Sequence, residues 1–308
     1  MEQRNDTARR YLVMDTSTAT LCTAVMDGAR VLAENNLLAQ RGHAELLMPA
    51  VQKVLEDSRT SQRELAGIIT GVGPGSYTGI RIAVTAGKSL AWALGIPVVG
   101  ISSLEMLALG AWAQGAGLTA GDFIPAVEGR SGAEAAAKGT AAGSGDAART
   151  ADGTAAGSGA AANAAAAGQA SAAAEWVVPL MDARRGQVYT ALFEAAPGGL
   201  TRRLEPDGIR LMADWTGSLA ALWSALPPEA RPSVMTLAGD TDKHAAVAEL
   251  LRPLLGDALR IAEYAPEGAW GGLLGAARLL SGERDEAHEL QPNYTQLTEA
   301  EVNKLQGL

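Results

Sequence analysis

A glycine-rich run between a buried strand and a helix is the feature that most constrains how this chain can fold. The run is Gly71-Val72-Gly73-Pro74-Gly75-Ser76-Tyr77-Thr78-Gly79-Ile80-Arg81. Glycine allows positive φ and close backbone approach, and Ser76 or Thr78 is suited to cap the helix that follows. Exposed amides at such a helix start can also hold an anion. The run therefore predicts a tight structural turn or, alternatively, an anion or nucleotide site.

The run does not carry the phosphate-binding signature of a P-loop. That signature requires Gly-x-x-x-x-Gly-Lys-Ser/Thr. The Gly-Lys-Ser sequence at 87–89 has Ile82 where the first glycine belongs, and it falls in the middle of the predicted helix. We interpret it as a chance match.

Strand and helix patterns around this turn indicate an α/β unit with a mixed sheet covered by helices. Asp27-Gly28 predicts a tight hairpin between the second and third strands. The predicted strands are Tyr11–Met14, Thr20–Met26, Val31–Leu38, Leu65–Val72 and Val98–Ile101; the predicted helices are Ala44–Asp57, Tyr77–Leu94 and Ser103–Trp112.

The second half of the chain opens as the first does, with a strand, an Asp-led turn and a strand, which suits a fold built by duplication. Its predicted strands are Trp176–Met181, Gln187–Phe193 and Val234–Ala238, and its predicted helices are Lys243–Leu251 and Glu267–Leu280. We divide the chain into a first lobe at 10–115, a connection at 116–130, an insertion at 131–175 and a second lobe at 176–308.

The insertion at 131–175 differs in kind from both lobes. It consists mostly of Ala, Gly, Ser and Thr, and Gly-Thr-Ala-Ala-Gly-Ser-Gly occurs at 139–145 and again at 153–159. Such a segment has no large apolar side chains with which to offset the entropy of ordering. We expect it to be disordered and without a specific function.

Composition narrows the classes of function. A net charge of −9 argues against the chain alone binding an RNA backbone, because that affinity comes largely from Lys and Arg. One cysteine, Cys22, excludes an intrachain disulfide and a zinc site with two or more thiolates. Met1–Arg10 lacks the apolar core of a signal peptide, and no uninterrupted apolar run approaches a membrane span. We expect a cytoplasmic protein without a membrane segment.

The helix predicted at Tyr77–Leu94 is apolar on more than one side. Such a helix is buried on more than one side. It is either a central helix of the chain's own core or a helix that also contacts another protein chain. The candidate interface residues are Thr78, Ile82, Ala83, Ala86, Gly87, Leu90 and Ala93.

Several motifs resemble the TsaB (YeaZ) family, and together they cover the first lobe and the start of the second. Near the end, Gln291-Pro292-Asn293-Tyr294 resembles the family's closing Pro-x-Tyr, although Thr295-Gln296 replaces the Leu-Arg that often follows. The other matching motifs are Met14-Asp15-Thr16-Ser17-Thr18, Arg41-Gly42-His43-Ala44-Glu45-Leu46-Leu47-Met48-Pro49, the glycine-rich run from Gly73 to Arg81, Gly95–Leu104 and Met181-Asp182-Ala183-Arg184-Arg185-Gly186-Gln187-Val188-Tyr189.

This resemblance implies an actin-like, ribonuclease H-like duplicated α/β fold with two lobes. It implies a non-catalytic scaffold subunit that binds TsaD, the catalytic protein that places threonylcarbamoyl on adenosine 37 of tRNA, together with the ATPase TsaE. The chain would contact tRNA only indirectly through that complex. A homodimer in isolation is a reasonable expectation for an exposed apolar strip.

In kinases of the actin-like superfamily, an Asp-led turn from each lobe handles phosphate and magnesium. The resemblance therefore makes Asp15, Thr16, Ser17 and Arg184 the nucleotide or anion candidates, although the bulk of Arg184 fits a phosphotransfer site poorly. The histidine pair that holds a metal in TsaD aligns with Ser103 and Leu107, so we expect no metal, no catalytic residue and at most a weak or interface nucleotide. The alternatives are an ATP-dependent small-molecule kinase and, less favoured, a metallopeptidase.

Overall fold

In the computed structural model, residues 9–39, 42–123 and 174–295 are described, and they form two five-stranded mixed sheets with associated helices. The first sheet contains β1 (Arg10–Asp15), β2 (Thr20–Asp27), β3 (Arg30–Leu38), β4 (Leu65–Gly71) and β5 (Val98–Ile101), and its half of the chain adds α1 (His43–Asp57), α2 (Tyr77–Leu94) and α3 (Ser103–Gly115).

The second sheet contains β6 (Glu175–Asp182), β7 (Gln187–Ala196), β8 (Gly199–Leu211), β9 (Val234–Gly239) and β10 (Leu259–Glu263). The helices of this half are α4 (Met212–Ala225), the short α5 (Ala245–Ala248) and α6 (Arg252–Leu255), and α7 (Gly268–Leu280). No helix in the described part of the chain is long and apolar enough to cross a membrane.

The two sheets share one topology, which confirms the predicted duplication. The first has the order β3-β2-β1-β4-β5 and the second the order β8-β7-β6-β9-β10. In each, the first three strands are antiparallel neighbours, while the fourth and fifth run parallel to the first. The predicted two-lobed, actin-like α/β fold is therefore what the chain adopts.

Two helices cross between the lobes. Helix α3 packs mainly against the second sheet, on β6, β7 and β9, although it follows the last strand of the first sheet. Helix α7 packs against β1, β2, β4 and β5 of the first sheet, although it belongs to the second half of the sequence. One apolar core, which includes Trp112 of α3 and Trp270 of α7, consequently joins the two sheets. The ranges 10–115 and 176–308 each supply one sheet, but neither supplies all the helices that cover it.

Some predicted elements differ from the structure. Lys243–Leu251 is not one helix: it divides into 3₁₀ turns at Asp242–His244 and Glu249–Leu251 around the short α5. Pro253 is the second residue of α6, and without an amide it cannot donate the helical hydrogen bond that would join α6 to the Glu249–Leu251 turn. Strands β8 and β10 and helix α4 were not predicted. Ala174 is buried and β6 begins at Glu175, so the ordered second lobe starts before 176.

Parts of the sequence predictions fall outside the described residues. They are residues 1–8, Arg41 of the second family motif, the end of the connection at 124–130, the insertion through 173, and the end of the second lobe at 296–308, which includes Gln296. The disorder expected of the insertion therefore stays a prediction.

Candidate functional site: the first-lobe turn and helix α2

The Asp15-Thr16-Ser17 turn lies at the carboxyl end of β1 and is buried. The Asp15 carboxylate accepts a hydrogen bond of 2.5 Å from the Ser103 hydroxyl and one of 2.6 Å from the Ser17 amide. Burial raises the pKa of the Asp15 carboxyl above its ordinary value, and the hydrogen bonds from Ser103 and Ser17, with nearby His43, offset part of the rise. The Ser17 hydroxyl is itself buried and makes no geometrically sound hydrogen bond within the described residues.

Thr16 joins the turn to the first turns of helix α2. Its hydroxyl donates to the Gly79 carbonyl at 2.6 Å and accepts from the Ala83 amide at 3.1 Å. The Ser17 carbonyl accepts from the Ser76 amide at 2.8 Å. The polar atoms of Asp15 and Thr16 that would meet a nucleotide are thus engaged within the chain.

Glycines make this close contact between the turn and α2 feasible. A Cβ added to Gly71 would overlap the Asp15 carboxylate, one on Gly75 would overlap the Ser17 backbone, and one on Gly79 would overlap the Thr16 carbonyl. Ser76 caps the helix by accepting from the Gly79 amide at 3.3 Å. These contacts support the structural interpretation of the glycine-rich run, in which glycine makes room for protein atoms.

Arg184 lies in the corresponding turn of the second lobe, between β6 and β7. It is exposed and has φ of 66°, and Arg185 beside it has φ of 52°. The Asp182 carboxylate caps the turn by accepting from the Arg184 amide at 3.2 Å, and it also binds Lys243 at 2.9 Å. Although burial raises the pKa of Asp182, the hydrogen bonds from Lys243 and the Arg184 amide outweigh that effect and lower it.

The structure divides the seven interface candidates on α2 into three groups. Ala83 has no exposed surface and Gly87 packs on Thr70, so these two belong to the chain's own core and are removed from the predicted interface. Three others, Ile82, Ala86 and Leu90, are half-buried against the core beneath α1 and α2. Thr78 and Ala93 are exposed. The second apolar strip therefore serves mostly intrachain packing.

The exposed face of α2 consists largely of residues that the sequence analysis missed. Trp92 is 83% exposed and Tyr77 is 54% exposed. Between them, Arg81, Thr85 and Ser89 are also exposed. These positions recur at the spacing of one helix face. The sequence signal that could have identified this face is a helical stripe of polar residues with an aromatic residue at each end.

Lys88, the lysine of the chance Gly-Lys-Ser match, binds the end of the described chain. Its ammonium donates to the carbonyls of His288 and Leu290 at 3.2 and 2.9 Å. It is therefore committed to protein carbonyls, which is a structural use of the residue that resembled a phosphate ligand.

The chain is 30% identical over 296 residues to the tRNA threonylcarbamoyladenosine biosynthesis protein TsaB of Bacillus subtilis, and the match covers 96% of this chain and 98% of that protein. The chain belongs to the TsaB family. The TsaB protein of Escherichia coli is 36% identical over 103 residues, which is 33% of this chain and 44% of that protein.

Two further comparisons concern the first half of the chain and the fold. The family model described as TsaD, tRNA N6-adenosine threonylcarbamoyltransferase, matches residues 36–155. The solved structure of YeaZ from Pseudomonas aeruginosa superposes with a TM-score of 0.57 over 92% of this chain and 99% of that one, at 19% identity. That structure shows a shared fold.

The resemblance aligns Ser103 and Leu107 with the metal-binding histidines of TsaD, and in the structure both residues serve the fold of this chain. Ser103 is buried and bridges two parts of the first lobe, since it donates to Asp15 and accepts from the Gly73 amide at 3.1 Å. Leu107 is buried in the core that joins the two sheets. Neither side chain is a histidine replacement, and the absence of a metal stays a prediction.

Proposed function

We propose that this chain is a non-catalytic subunit of the machinery that makes threonylcarbamoyladenosine in tRNA, and that it acts by binding the catalytic TsaD protein, with TsaE as a further member. Membership of the TsaB family supports the pathway. The observation that carries the scaffold role is the exposed face of α2, where Trp92 is 83% exposed. Buried aromatic anchors are typical of protein interfaces.

The state of the first-lobe turn argues against catalysis by this chain. Asp15, Thr16 and Ser17 are buried, and Asp15 and Thr16 are hydrogen-bonded to α2 and α3. A kinase of this fold would need these groups open to a nucleotide and magnesium. We therefore propose that the free chain needs no cofactor and that any nucleotide binds at a subunit interface. From membership of the TsaB family, we also propose that the protein works in the cytoplasm.

The α2 face gives the test of this proposal. Arginine at Thr85 or Ala93 places a long charged side chain on the exposed face without entering the core. We expect Thr85→Arg and Ala93→Arg to fold normally and to weaken TsaD binding at least tenfold, about 1.4 kcal/mol. Ala221→Arg is the matched control, because Ala221 is exposed on helix α4 of the second lobe.

Binding is measured by titration calorimetry with purified TsaD, and tRNA modification by mass spectrometry of nucleosides in the reconstituted TsaD and TsaE reaction. Ala83→Glu should instead unfold the chain, because Ala83 has no exposed surface. Full modification by TsaD and TsaE in the absence of this chain would refute the proposal, as would rapid ATP turnover by the chain alone.

A further inference from the structure

Two tyrosines and an arginine meet where the last described residues reach helix α2. The rings of Tyr77 and Tyr294 lie 5.3 Å apart with an interplanar angle of 34°. Arg81 donates to the Tyr77 hydroxyl at 3.3 Å, and its guanidinium carbon is 5.4 Å from the centre of that ring. Tyr77 is 54% exposed and Tyr294 is 46% exposed. The three side chains form a half-open aromatic and cationic cluster.

The chain segment that carries Tyr294 is held firmly against the first lobe. We call residues 285–295 the closing segment. Lys88 binds its carbonyls at His288 and Leu290, and the Asn293 amide donates to the Val72 carbonyl at 2.7 Å. The Asp285 carboxylate accepts from the Gly100 amide at 2.7 Å. Tyr294 directly follows Asn293, so these bonds hold the backbone beside Tyr294, and its ring packs on Tyr77.

The chemistry of the cluster suits a protein partner. Tyrosine and arginine are enriched among the residues that dominate binding energy at interfaces. Arg81 forms no ion pair within the described residues, and a guanidinium has five N–H donors, of which the Tyr77 hydroxyl uses one. The matching surface is an apolar patch with a carboxylate or free carbonyls beside it.

We propose that Tyr77, Arg81 and Tyr294 are an anchor at one end of the TsaD-binding face, and that Lys88 is a positioning residue that holds Tyr294 in it. This inference rests on the proposed function. The cluster is continuous with the exposed face of α2, because Tyr77 and Arg81 belong to the first turns of that helix.

TsaD is the partner that we propose, because the TsaB relative of this chain and the TsaD family are named for the same tRNA modification. A second copy of this chain is the alternative that the test below decides. Residues 36–155, which include α2, match the TsaD family model, so the two proteins carry related first-lobe helices. Related faces can pair about an approximate twofold axis, as identical ones do in a dimer. In such a pairing the closing segment extends the contact beside the first turns of α2, where Tyr294 meets Tyr77.

Substitutions at Tyr294, Lys88 and Arg81 test the anchor by calorimetric titration with TsaD. Tyr294→Ala should weaken binding at least tenfold, whereas Tyr294→Phe keeps the ring and should bind as the unchanged chain does. Lys88→Met should weaken binding severalfold, and combining it with Tyr294→Ala should add nothing, since both act through one ring. Leu250→Ala, at a 68% exposed position in the second lobe, is the control.

The possible outcomes separate the anchor from the scaffold role. If Tyr294→Ala binds TsaD with the affinity of the unchanged chain while Ala93→Arg binds it more weakly, the anchor is overturned and the proposed function stands. If Tyr294→Ala abolishes self-association in ultracentrifugation but leaves the affinity for TsaD unchanged, the cluster belongs to a homodimer interface. That result also overturns the proposed anchor. No binding of TsaD by the unchanged chain refutes the proposed function itself. Arg81→Gln, which keeps the helix and removes the charge, should weaken binding even if Lys88→Met proves unstable.

Discussion

Asp15 shows how one residue can look catalytic and yet serve the fold. Its carboxylate is buried, and its two acceptor bonds tie β1 to the start of α3 and to its own turn. Burying a carboxylate costs free energy unless it is hydrogen-bonded. Burial dominates here, since the pKa of Asp15 lies above its ordinary value despite those bonds.

That raised pKa predicts a pH dependence of stability. Below the ordinary pKa of 3.8 the carboxyl is protonated in both folded and unfolded chains. The contribution of the neutral Asp15 to the free energy of unfolding is then fully present. As the pH rises from there through the raised folded pKa, the unfolded chain ionises more readily, so this contribution is lost. Asp15→Asn cannot ionise.

We therefore expect the free energy of unfolding of Asp15→Asn, minus that of the unchanged chain, to increase as the pH rises above about 4. Urea titrations at several pH values between 4 and 8 measure the difference. A difference that is constant with pH, or that moves the other way, would contradict the assignment.

At the scale of elements, helix α2 is placed by the glycine at its start. A Cβ on Gly79 would overlap the Thr16 carbonyl, while one on Gly217, within helix α4, would meet nothing within 4 Å. Glycine inside a helix is otherwise less favourable than alanine by roughly 0.5–1 kcal/mol. The same substitution should therefore act in opposite directions at the two sites.

We predict that Gly79→Ala lowers the free energy of unfolding by about 1–3 kcal/mol, the range for an overpacked site. Gly217→Ala should raise it by roughly 0.5–1 kcal/mol. Chemical denaturation measures both. If Gly79→Ala also stabilised the chain, the contact between Thr16 and α2 would not be as close as the structure has it.

Elements with a strong local signal could be predicted from the sequence, and those set by distant contacts could not. The range Tyr77–Leu94 was correct because Ser76 and Gly95 mark the helix ends. Strand β8 alternates between half-buried and exposed residues and lacks a clear apolar period. At the candidate site, the sequence identified Asp15 and Thr16 as candidate residues but did not predict their burial. That burial depends on contacts with Ser103 and Gly79, which are far along the chain.

For the molecule as a whole, the exchange of helices between lobes could not be predicted from any local sequence pattern. Hydrophobic periodicity shows that a helix has an apolar face but not which sheet covers it. In the structure, Phe123 touches Trp112 of α3 and Trp270 of α7 edge to face, with ring centres 5.9 and 5.3 Å apart. The two lobes thus share a core that neither can complete alone.

A shared core predicts that the lobes unfold together. Leu273 of α7 is 3% exposed in that core, and truncating a buried leucine costs about 2–5 kcal/mol. Leu273→Ala should therefore lower the stability of both lobes, including the separate second-lobe core that contains Trp176 and Trp223. Leu254→Ala, at a position that is 43% exposed, should have a much smaller effect.

The measurement is thermal unfolding followed by calorimetry, circular dichroism and tryptophan fluorescence. One transition, coincident by all three methods and shifted as a unit by Leu273→Ala, is expected of a two-state unit. The alternative is two lobes that fold independently, as the division of the sequence at the insertion would suggest. In that case Leu273→Ala would split the transition in two, and the transition of the second lobe would keep its original midpoint.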